Sequence, residues 1–156
     1  MTRQTTAALF VALACGAVGA AHAQSSDLER FEAAAEAMSA QMFALIAEER
    51  PAVAGALPET EWGPAFRKAG ACVLDRIRAE TSDENVNRML GELEGLAASD
   101  FASLAEMQAA NESTGPGLPQ DRMVEINAAC GMEAAMRQRM VESGFLEAMQ
   151  QGQQGG

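Results

Sequence analysis

The run NAACGMEAAMRQRM, residues 127–140, joins Cys130 to three methionines, Met132, Met136 and Met140, spaced four residues apart. Two kinds of chemistry suit these side chains. Soft thioethers select Cu(I), and a cysteine can be a thiolate nucleophile, a redox partner or half of a disulfide. On one continuous helix each four-residue step advances about 40°, so the three methionines share a face turned at least about 80° from Cys130. Methionine is also the flexible gap-filler of helical cores, and Met38 and Met42 recur in the same way near the N-terminus. The expectation is therefore a packing or interaction surface at Met132, Met136 and Met140, with no metal and no cofactor; a Cu(I) site on the same thioethers is the alternative.

Cys72 and Cys130 enclose 58 residues of chain and are both flanked by small residues, Ala69-Gly70-Ala71 and Ala128-Ala129 with Gly131. Small neighbours let helix backbones approach, and a disulfide requires Cα atoms within roughly 7 Å. No C-x-x-C spacing is present to make a redox couple, so the pair is expected to form a structural disulfide. The run DENVNRMLGELE mimics a calcium loop, with Asp83, Asn85, Asn87 and Glu94 at its ligand positions. Arg88 stands where the loop needs glycine for its sharp turn, and the run also has the apolar spacing of a helix, which cannot wrap those groups around one ion.

Histidine occurs once, as His22, and tyrosine not at all. That removes the commonest general base beyond the leader and any triad built on it. Carboxylate pairs such as Glu48-Glu49 or Glu92-Glu94 face different ways on a helix. The expectation is a protein that is not an enzyme.

The elements that would position these residues follow from hydrophobic periodicity. Leu28, Phe31, Ala35, Met38, Met42 and Leu45 form one stripe on a first helix, with Asp27 as N-cap and Pro51 marking the end. After the turn-rich PAVAGALPETEWGP, Pro64 opens a second helix with Phe66, Ala69, Gly70, Val73 and Ile77 inward and Cys72 on the shoulder. Thr81-x-x-Glu84 has the form of a capping box for a third helix carrying Val86, Met89, Leu90, Leu93 and Leu96. Phe101, Leu104 and Met107 make either a short fourth helix or a bent continuation of the third. NESTGPGLP, residues 111–119, breaks the chain before the longest expected helix, roughly Gln120 to Gln150, with Met123, Ile126, Cys130, Ala134, Val141 and Phe145 on one face. No stretch alternates like a strand, so the expected class is all-α, a small bundle of four to five helices clamped by one disulfide.

The first 23 residues have Arg3, an uncharged apolar stretch and a terminal Ala21-His22-Ala23, the three-part pattern of a cleaved signal peptide. The expected organisation is a leader at 1–23, one helical domain at 24–150 and a disordered tail at 151–156. Eleven basic against 22 acidic residues give a net charge of −11, more negative still once Arg3 is removed. Such a surface repels nucleic acid, and no stable membrane insertion is expected after cleavage. The simplest home is the periplasm of a Gram-negative bacterium, and the simplest partner a periplasmic protein or a small apolar ligand.

Overall fold

The computed structural model describes residues 17–112 and 114–154. Of the expected leader, residues 1–16 lie outside them, as do Gly155 and Gly156 of the expected tail. Among the described residues eight helices run in order: α1 (Ala17–Glu49), a 3-10 helix (Pro51–Ala56), α2 (Pro64–Glu80), α3 (Asp83–Ala97), α4 (Leu104–Glu112), α5 (Gln120–Cys130), α6 (Met132–Glu142) and α7 (Phe145–Gln154). The all-α class holds, with more and shorter helices than the four to five expected. Among the described residues no helix is long and apolar enough to cross a membrane.

The core forms where α1, α2, α3 and α5 converge. Val73, Leu74, Ile77, Val86, Met89, Leu90 and Ile126 are buried together, with Leu28, Phe31, Leu93 and Met123 closing over them. Each fully buried aliphatic side chain contributes roughly 1.5–3 kcal/mol relative to exposure, which makes this cluster the chief support of the fold. All five residues of the expected α2 stripe are buried, together with Leu74. Pro64 occupies the first turn of α2, where its missing N–H costs nothing. Pro51 ends α1 as expected, because the residue before a proline avoids the helical region; Arg50 has φ −136° and ψ 71°.

Three local expectations are corrected, and the choice left open at α4 is settled. Asp27 is not an N-cap, since α1 begins ten residues earlier. It is instead a buried acid within the helix, accepting a hydrogen bond from Arg78 Nη2 at 2.8 Å and lying 3.7 Å from Arg30 Nη1. The cap of α3 is Ser82, whose Oγ accepts from Asn85 N at 3.2 Å, while the Thr81 hydroxyl turns back to donate to Ile77 O at the end of α2. α4 is a separate helix whose N-terminus is set by Ser103 and Glu106: Ser103 Oγ accepts from Glu106 N, and the Glu106 carboxylate accepts from Ala102 N.

The third correction is the largest. The expected 31-residue helix is three helices, broken at Gly131 and Gly144, whose φ values are 80° and 76°. Both sit in the left-handed region that only glycine enters at little cost, and the Gly131 N–H closes α5 by bonding Ala128 O. Each break re-aims the chain, so the face drawn along a continuous helix does not survive. Ile126 and Phe145 are buried, but Ala135 is buried in place of the exposed Ala134, and Val141 is 61% exposed. α7 also continues to Gln154, four residues into the segment expected to be tail.

Candidate interaction surface

Gly131 sets both halves of the site. It ends α5 so that Cys130 turns towards α2, and it starts α6 on a new axis. Within α6, Met132, Met136 and Met140 keep their four-residue spacing and therefore still share a face. Together with Val124 of α5 and Leu146 of α7 they line an open groove of about 550 Å³, completed by Asn127, Glu133 and Arg137. Val124 is 53% exposed and Leu146 37%, so apolar surface remains in contact with solvent across all three C-terminal helices. Met132 also packs against the core cluster, which ties the groove floor to the interior.

Three cross-links hold this surface in place. Cys72 and Cys130 stand at disulfide distance with Cα atoms 5.6 Å apart, joining the end of α5 to the middle of α2. About two turns away along the same two helices, Arg122 of α5 grips Glu80 of α2 with two guanidinium nitrogens, Nε at 2.7 Å and Nη2 on the second oxygen. That hydrogen bonding holds the Glu80 carboxyl below its ordinary range and raises the Arg122 guanidinium further above its own. Arg139 of α6 donates to the carbonyls of Thr60 (3.3 Å) and Glu61 and lies 3.9 Å over the Phe66 ring. A cation over an aromatic face with its donors satisfied by backbone carbonyls is a well-anchored arginine, and it fixes α6 to the loop before α2.

That loop carries Trp62, which the periodicity gives no reason to single out. Its ring packs edge-on to Phe31 at 5.3 Å and tilted to Phe66 at 5.9 Å, and its backbone N–H donates to Glu36 at 2.6 Å. A second groove, of about 290 Å³, opens between α1, α3 and α4 and is lined chiefly by Phe31, Met38, Met42, Leu93 and Met107. Met38 and Met42, placed on the first stripe by spacing, are half-buried there rather than sealed in the core.

Spacing along the sequence puts Met132, Met136 and Met140 on one face and does not single out Val124, Glu133, Arg137 and Leu146, which line the same groove. The missed residues come from three helices whose relative directions depend on Gly131 and Gly144. A glycine just past the last periodic residue was the available signal. No group of three or more histidine, cysteine, aspartate or glutamate side chains is placed to hold a metal among the described residues. The calcium-like run is α3 itself. Asp83 pairs with Arg78, and Glu94 pairs with Arg30, which holds the Glu94 carboxyl below its ordinary range. No family model, curated protein or solved structure matches the chain.

Proposed function

We propose that this is an exported periplasmic protein that acts by contact rather than catalysis, presenting the methionine face of α6 to a partner in the envelope. The observation that carries the proposal is the groove of Met132, Met136, Met140, Val124 and Leu146, apolar and solvent-facing on helices that are themselves firmly cross-linked. Unbranched thioethers adapt to a partner's shape at low cost, while the anchored backbone keeps the surface preformed. The leader-like first 23 residues and a cysteine pair suited to an oxidising compartment support export. The same three thioethers also support the alternative, a Cu(I)-binding protein.

Placing a photo-crosslinking amino acid at Met136 should yield a covalent adduct in intact cell envelopes, whereas the same probe at the exposed Glu84 of α3 should not. Absence of any adduct from Met136 and from its groove neighbour Val124 would defeat the proposal. Anaerobic Cu(I) titration against a competing chelator is expected to show no stoichiometric tight site. A tight site that disappears on changing Met132, Met136 and Met140 to leucine would favour the metal-binding alternative.

A further inference from the structure

Two charged residues lie along one edge of the methionine stripe. By helical geometry Met132, Met136 and Met140 span about 80° of α6, and Glu133 and Arg137 follow within the next 60° or so. Both line the groove, yet neither makes an ion pair or hydrogen bond with another described residue. Most arginines of this chain are engaged: Arg30, Arg67, Arg78, Arg88 and Arg122 each bind a carboxylate, and Arg139 binds two carbonyls. An unpaired guanidinium four residues from an unpaired carboxylate, on the rim of an apolar groove, is a pattern that reads the same in both directions.

That pattern selects its complement. A basic partner would gain from the acidic surface elsewhere, but this groove offers one carboxylate with a cation beside it. An edge bearing only acids or only bases would set like charges against Glu133 or Arg137, and the −11 that each copy carries is largely screened beyond about 8 Å at physiological salt. The surface that matches an apolar stripe edged by one acid and one base in this order is the same stripe turned through 180°. We propose that the groove is filled by a second copy of this chain, with α6 packed antiparallel on α6 about a two-fold axis. The proposal rests on α6 being the contact surface and names its partner.

In an antiparallel helix pair related by such an axis, like edges face like edges. With the axis at the level of Ala135, Glu133 of each copy stands opposite Arg137 of the other, forming two equivalent ion pairs. Met136 then lies about one residue's rise, roughly 1.5 Å, from the axis in each copy, so the two Met136 side chains meet. Met132 of each copy falls near Met140 of the other, within reach of flexible thioethers. The apolar stripe, with Val124 and Leu146 at its flanks, supplies the affinity, and the reciprocal pairs fix register and direction.

Sedimentation equilibrium of the mature protein over a concentration series is the test. The expected result is a reversible monomer–dimer equilibrium. Arg137→Glu and Glu133→Arg should each weaken dimerisation by about tenfold or more, because each sets like charges opposite one another twice, and the double exchange should restore wild-type affinity. These positions are on the surface, so circular dichroism of every variant should match the wild type. A wild-type protein that stays monomeric throughout would overturn the proposal, as would single reversals that dimerise normally or a double exchange that fails to restore affinity. Photo-crosslinking at Met136 separates this outcome from failure of the contact surface itself. Adducts only to another protein, with a monomeric chain, would remove self-association and leave the surface intact; no adducts at all would remove both.

Discussion

Gly70 is where Trp62 and Leu28 pack directly against the backbone of α2. A Cβ built there would lie 2.9 Å from Trp62 Cη2, closer still to Cζ3, and 3.3 Å from Leu28 Cδ1. The indole cannot swing aside cheaply, because Phe31 and Phe66 stand against it and Glu36 holds its backbone. Alanine in a helix interior gains up to about 1 kcal/mol over glycine, whereas overpacking costs roughly 1–3 kcal/mol. The clash should win at Gly70, so Gly70→Ala is expected to lower stability by up to about 2 kcal/mol in denaturant unfolding. Gly91→Ala on α3, where a Cβ would meet nothing within 4 Å, should raise it by up to about 1 kcal/mol. Equal effects at the two sites would show that the Trp62 contact has no energetic weight. At this scale Gly70 was legible only as one member of the α2 stripe. Its reason for being glycine was not, because Trp62 reaches it from a loop, and periodicity carries no information about loops.

At the level of elements, much that depended on spacing within one helix was legible, though on α1 Ala34 and Phe43 are buried while Ala35, Met38 and Met42 are only half-buried. The inward face of α2, the inward residues Val86, Met89 and Leu90 of α3, and the shared face of Met132, Met136 and Met140 all follow from the helical repeat. Boundaries were less legible where two capping residues lay adjacent. Thr81 and Ser82 both suit an N-cap, and the structure gives Ser82 to α3 and Thr81 to the end of α2. The long C-terminal helix failed because a glycine within a periodic pattern is tolerated in a helix at about 1 kcal/mol, so Gly131 and Gly144 did not by themselves force a break. Their left-handed φ values decide it. Gly131→Ala should therefore destabilise the protein by about 1–2 kcal/mol through backbone strain alone, since a Cβ there has open space around it. Thermal melts would check this. A neutral or stabilising result would mean that α5 and α6 are free to run together as one helix, contrary to the turn at Gly131.

For the molecule as a whole, the cysteine pair joins the two halves of the chain, and the ion pairs around it are weaker props. Arg122 with Glu80 and Arg30 with Glu94 are solvent-exposed, and such pairs contribute little individually. The link between Cys72 and Cys130 was legible before any geometry, from two cysteines set among small residues on separate helices. What was not legible is that it closes α5 onto α2 right at the Gly131 turn, where the methionine surface begins. Closing a loop of 58 residues restricts the unfolded chain, which in the loop-entropy model is about 4 kcal/mol of stabilisation. Reduction, or Cys72→Ser with Cys130→Ser, should therefore lower the melting temperature by on the order of 10 °C. The core of Ile77, Val86, Leu90 and Ile126 is untouched by the change, so the helical circular dichroism signal should persist well below the new midpoint. Thiol labelling under non-reducing denaturation is the direct check. Two freely alkylated cysteines in the protein isolated without reductant, or an unchanged melting temperature after reduction, would remove the cross-link from the account of how α5 is held on α2. Arg122 and the packing of Ile126 would then be left to hold it.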